Sequence, residues 1–161
     1  MKSPVFVNRA IQFRIVYRLV AEITALFERL VAELPEGTAA VHVKQVSVGT
    51  VIELKPTNPA SASFSVLADD FELYSFHLHE SYWEFPWERR YRKGEKDILT
   101  ELEEIARAVI AGNCQQRRGL FSLVGTIHVS DYTYKMTNLP KLPIPPFWTR
   151  HYAPFALSQT A

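Results

Sequence analysis

The chain has 161 residues, of which 47% are hydrophobic, and 18 lysines and arginines nearly balance 17 aspartates and glutamates. A net charge of +1 gives no whole-molecule field that would attract nucleic acid or an anionic membrane. The single cysteine, Cys114, excludes an intramolecular disulfide, and charged residues interrupt every apolar run well before the roughly 20 residues that a membrane span needs. These features predict a soluble cytoplasmic domain.

Apolar residues at spacings of three and four predict a first helix over residues 8–34. Asn8 is a suitable cap for its start, and Pro35 with Gly37 ends it.

Alternating apolar residues predict three strands after this helix. The first covers residues 39–54, with a bulge or turn at Lys44 and Gln45. In the second, Ala62, Phe64 and Val66 alternate with serines, and the third runs from about residue 71 to 83. Consecutive strands without a helix between them favour an antiparallel meander.

A second helix is predicted over residues 97–111, followed by strand character over 120–136 with a turn at Ser130 and Asp131. Five of the ten prolines lie after Asn138, which predicts an extended arm. The fold class is therefore α+β, with an antiparallel sheet of about five strands, two main helices and the order α-β-β-β-α-β-β. We expect one domain over residues 1–137, and an arm over 138–161 that packs on the same domain or on a partner.

Rings and arginines are concentrated in residues 82–93. Tryptophan, tyrosine and arginine contribute most of the binding energy at protein interfaces, so this segment predicts a partner-binding surface. The alternative is that the rings fill the edge of the core. Stacking on nucleic-acid bases is disfavoured because acidic residues offset the basic ones. The proposed binding residues are Tyr82, Trp83, Trp87, Arg89, Arg90 and Arg92.

Three histidines suggest a metal site as the alternative. His77 and His79 are two positions apart in a predicted strand and would therefore point to the same side. His128 would join them if its strand lies nearby, and Glu80 or Glu84 would add a carboxylate. Such a set suits a divalent transition metal such as zinc, iron or nickel.

The proline-rich arm contains two overlapping PxxP spacings, which are typical of a polyproline helix that docks on a partner or on a second copy of the chain. The favoured interpretation is that the arm packs on its own domain. Its apolar residues available for this packing are Ile144, Phe147, Trp148, Tyr152 and Phe155.

No glycine pattern for a phosphate-binding loop and no Gly-x-Ser-x-Gly motif is present, and no histidine base can be assigned to Cys114. The sequence therefore favours a small partner-binding protein without a cofactor, such as an adaptor, a chaperone or an immunity-like protein, over an enzyme. A protein is the expected partner, and a homodimer through the arm is a further option. The alternative function is a metal-binding protein or metal-dependent enzyme that uses His77, His79 and His128.

Overall fold

A computed structural model describes residues 5–69, 74–79, 81–85, 98–118, 123–130, 132–137 and 148–156. For residues 5–18, 69, 74, 81–85 and 136–137 it describes the backbone only.

Two helices form where the apolar periodicity predicts them, but the first begins at Val5, so Asn8 lies inside it and does not cap it. α1 covers Val5–Ala32 and α2 covers Ile98–Ile110. The last three turns of α1 bury Ile23, Phe27 and Leu30 at 1% exposure or less. These positions are separated by three or four residues, so they lie on one side of the helix and face the sheet. In the described part of the chain neither helix has the length and apolar composition that a membrane span requires.

The first sheet is an antiparallel meander of five strands in the order β1-β2-β3-β4-β5. Its strands are β1 Ala39–Val46, β2 Gly49–Pro56, β3 Phe64–Asp69, β4 Tyr74–Leu78 and β5 Ser81–Phe85. The predicted first strand is in fact a hairpin that turns between Val46 and Gly49, not at Lys44 and Gln45. The predicted third strand is also a hairpin, because the chain turns after Leu78.

The second sheet has four strands in the order β8-β7-β6-β9. They are β6 Cys114–Arg118, β7 Leu123–Val129, β8 Tyr132–Thr137 and β9 Trp148–His151. The α+β class and the order of helices and strands are confirmed. The described residues hold nine strands in two sheets, however, where the sequence predicts about five in one.

The core lies between the helices and one face of each sheet. α1 packs on β1, β2 and β3, α2 packs on β7, and the two helices contact each other. Phe27, Phe64 and Phe76 form a line of rings with centroid separations of 5.9 Å. The predicted inward residues Ala62, Phe64 and Val66 are all fully buried.

Residues 152–155 pack on the rest of the domain. The Ala153 amide donates to the carbonyl of Ala60 at 3.0 Å, and the Phe155 amide donates to that of Ile110 at 2.9 Å. Tyr152 and Phe155 are buried as predicted, whereas Trp148 is 39% exposed and therefore does not pack as predicted. Ile144 and Phe147 lie outside the described residues.

Candidate functional site

The predicted aromatic and arginine surface falls largely outside the described residues, which exclude Trp87, Arg89, Arg90 and Arg92. Tyr82 and Trp83 lie in β5, where they pair in register with His77 and Phe76 respectively. Successive residues of a strand belong to opposite faces of the sheet, so these two positions do not share one face. The surface over residues 82–93 remains a prediction.

His77 and His79 do not lie on one strand face, because β4 ends at Leu78 and His79 occupies the turn with a φ of 54°. Its amide donates to the Ser63 carbonyl at 2.9 Å, and its ring lies 5.8 Å from that of Tyr152. The strand prediction is wrong here because His79 adopts a left-handed conformation, which ends the strand.

His77 is half-buried in β4, and its Nε2 lies 3.1 Å from the Ser75 hydroxyl. Burial lowers the pKa of His77 below its ordinary value, because the charged imidazolium loses hydration there. His128 belongs to the second sheet, where its Nδ1 lies 3.3 Å from the Thr133 hydroxyl. The described residues contain no group of three histidine, cysteine, aspartate or glutamate side chains placed to hold a metal ion.

Cys114 is 3% exposed at the start of β6. Burial raises the pKa of its thiol to about 12, so the reactive thiolate is scarce at neutral pH. Its environment is that of a core residue and not of a nucleophile.

An exposed pair of strands in the second sheet brings arginines and a tryptophan together. We define the β6–β9 ribbon as Cys114–Arg118 with Trp148–His151, which are antiparallel neighbours. Arg118 lies directly opposite Trp148 on one face of the ribbon, and Arg117 lies directly opposite Thr149 on the other face. All four of these side chains are exposed, as is that of Arg150.

The charge on this ribbon is uncompensated within the described part of the chain. The strands β6 to β9 contain no aspartate or glutamate, and neither Arg117 nor Arg118 forms an ion pair with a described carboxylate. The situation differs on the helices, where Arg29 lies 2.8 Å from Glu103 and Arg107 lies 2.7 Å from Glu33. The ribbon therefore keeps positive charge available for a ligand.

Buried polar contacts hold the ribbon in place. The Tyr152 hydroxyl donates to Oε1 of Gln116, and Nε2 of Gln116 donates to the carbonyl of Leu78 at 3.1 Å. Gln116 is 1% exposed, so it joins β6 to both β4 and the end of the chain inside the protein. Arg150 lies over the Tyr152 ring at 5.0 Å and donates to the carbonyl of Pro59 at 3.2 Å.

Sequence reasoning missed this ribbon because Arg118 and Trp148 lie far apart in the chain and meet only through strand pairing. The distribution of charge along the sequence does indicate a basic region that includes the ribbon. From residue 114 to 161 the chain has five lysines and arginines, at 117, 118, 135, 141 and 150, and one acid, Asp131. The remaining residues have 13 basic and 16 acidic side chains, so the overall +1 combines +4 in this part with −3 elsewhere.

No protein-family model matches the chain, and neither a curated protein nor a solved structure matches it. The fold and the ribbon define a small α+β protein with an exposed cationic and aromatic strand pair.

Proposed function

We propose that the chain is a small cytoplasmic partner-binding protein of the adaptor, chaperone or immunity-like type, and that its β6–β9 ribbon binds an acidic surface of a protein partner. The observation that supports this proposal is the exposed Arg118–Trp148 cross-strand pair, which has no described carboxylate partner.

The composition of the pair suits protein recognition. A guanidinium binds a carboxylate through two parallel hydrogen bonds, and such charge-assisted bonds are stronger than neutral ones. Tryptophan adds apolar contact area at a small cost in side-chain entropy, and both residue types are enriched among interface hot spots. The hydrogen bonds of Gln116 and Tyr152 already fix the two strands. Binding of a partner therefore loses little backbone conformational entropy.

A protein partner is favoured over nucleic acid. The protein outside residues 114–161 has a net charge of −3, which would repel a long phosphate backbone that extends past the ribbon. A small acidic patch on a protein partner would be complementary in charge to the ribbon and would not extend to the negatively charged remainder of the protein.

The segment 82–93 is the second part of the proposed binding surface, with Tyr82, Trp83, Trp87, Arg89, Arg90 and Arg92 as its contact residues. Residues 82–85 of this segment belong to β5, which contacts β7 and β8. The segment therefore starts at the border between the two sheets. Trp87→Ala and Arg90→Ala are expected to weaken partner capture without unfolding the protein. Unfolding of these variants would assign the segment to the core.

The proposal is tested by capture from extracts of the source cells, identification of the retained protein and titration with that protein after purification. Arg118→Glu and Trp148→Ala should each weaken its binding by about tenfold or more, the range of interface hot spots. Lys55→Glu provides the control, because Lys55 is an exposed lysine of the first sheet. Equal affinities for the wild type, Arg118→Glu and Trp148→Ala would contradict the proposal, as would loss of binding in Lys55→Glu alone.

A further inference from the structure

β1 forms one end of the first sheet. It is an unbulged strand of eight residues without proline, and β2 is its one strand partner among the described strands. A long, regular edge of this kind presents a row of backbone donors and acceptors to another strand.

The backbone groups on the open side of β1 can be assigned. The Thr57 amide donates to the Thr38 carbonyl at 2.9 Å, and these two residues continue the β1–β2 register by one pair. Hydrogen-bonded pairs alternate along an antiparallel ladder, so Ala40, His42 and Lys44 bond to β2. The amides and carbonyls that point to the open side therefore belong to the alternate residues, which are Ala39, Val41, Val43 and Gln45.

Apolar side-chain surface is also exposed beside this open edge. Val43 is 51% exposed and Val41 is half-buried, although both lie opposite fully buried residues of β2, Ile52 and Leu54. Their side chains are on the face that α1 covers, and α1 leaves Val43 largely uncovered.

We propose that β1 pairs with β1 of a second copy of the chain, antiparallel and about a two-fold axis at His42. In this register Val41 lies opposite Val43 of the second copy, and the symmetry repeats the pair on the other side of the axis. The two first sheets then become one continuous sheet. This inference is independent of the β6–β9 ribbon and of the function proposed for it.

The register is self-complementary. The exposed Val43 of each copy meets Val41 of the other, and Lys44, the only lysine or arginine of β1, lies opposite Ala40 rather than another cation. The outward groups of the four alternate residues can form about eight interchain hydrogen bonds, two in each hydrogen-bonded pair. The neighbouring two-fold register, centred on Val43, would instead place Val41 opposite Gln45 and Lys44 opposite His42. Of these two registers, the one centred on His42 fits the edge better.

Cysteine cross-linking tests the register. In the proposed dimer the two His42 positions face each other as a non-hydrogen-bonded pair, the closer type, so His42→Cys should form an interchain disulfide within minutes of mild oxidation. Lys44→Cys is the matched control, because Lys44 is also exposed but lies two residues from the axis in each copy. The native Cys114 is buried and does not compete.

Proline at position 43 tests the edge itself. The Val43 amide points to the open side, so Val43→Pro removes no β1–β2 hydrogen bond but blocks interchain pairing. Analytical ultracentrifugation should show a wild-type dimer, and the dissociation constant should rise at least tenfold in Val43→Pro with an unchanged circular dichroism spectrum. Val43→Lys should give the same result if the proline variant unfolds. A monomeric wild type, a dimer insensitive to both substitutions, or equal cross-linking of the two cysteine variants would overturn the proposal.

Discussion

Gly112→Ala is expected to be one of the most destabilising single-atom additions that the chain can receive. Gly112 follows α2 with a φ of +75°, its amide donates to the Val109 carbonyl at 3.0 Å, and the next amide donates to that of Ala108 at 2.9 Å. This is the Schellman arrangement, in which a left-handed glycine ends the helix. A Cβ at this position would lie 2.7 Å from the Pro154 nitrogen and 2.9 Å from the Tyr152 oxygen, both backbone atoms.

Two costs combine in this substitution. An alanine in the left-handed region costs about 1 kcal/mol. Overpacking against backbone atoms that cannot rotate away costs about 1–3 kcal/mol more. A total of about 3 kcal/mol corresponds to a fall in Tm of about 6–12 °C for a domain of this size.

Gly37→Ala is the matched control. Gly37 has the same φ of +75°, but a Cβ there would meet no atom within 4 Å. It should cost about 1 kcal/mol, the conformational part alone. Urea denaturation of both variants measures the difference. Equal losses would refute the close packing of residues 152–154 on the end of α2, and with it the anchoring of β9 in the second sheet.

Three further predictions concern stability and reactivity. Tyr152→Phe removes the donor to the buried Gln116 oxygen and should cost about 1–3 kcal/mol in urea denaturation; an unchanged midpoint would contradict that bond. Cys114 should react with a thiol reagent at pH 8 only after unfolding, because burial raises its pKa to about 12; rapid reaction of the native protein would contradict its burial. Hydrogen bonding from Arg107 lowers the pKa of Glu33. The Glu33–Arg107 pair therefore stabilises the fold fully when the pH is above the ordinary carboxyl pKa, and this stabilisation is lost as the pH falls through the lowered pKa. The small difference in denaturation midpoint between the wild type and Arg107→Ala should therefore shrink from pH 7 to about pH 3 and should not grow.

The sequence predicts the helices better than the strands, for physical reasons that particular residues show. α2 carries an uninterrupted apolar stripe, so its predicted bounds differ from the observed Ile98–Ile110 by one residue at each end. β6 has the sequence CQQRR, in which no apolar alternation is visible. Its inward residues are Cys114 and Gln116, and Gln116 can be buried because Leu78 and Tyr152 satisfy its amide. Polar residues that are buried through long-range hydrogen bonds give no local signal.

The sequence also does not predict the turn between β4 and β5. The β4–β5 hairpin turns at His79, which lies at a positive φ that few residues other than glycine adopt. This one turn changes the function expected from the sequence, because it takes His79 out of the strand that was to hold a metal with His77. The β6–β9 ribbon depends on pairing between residues about 30 positions apart, and local patterns carry no information on such pairing.

The most direct test of the proposed function is the dissociation constant of the captured and purified partner for the wild type and for Arg118→Glu, with Lys55→Glu as the control. The ribbon predicts that the constant rises by about tenfold or more in Arg118→Glu and stays within about twofold in Lys55→Glu. The same constant for the wild type and Arg118→Glu would show that the ribbon does not bind the partner.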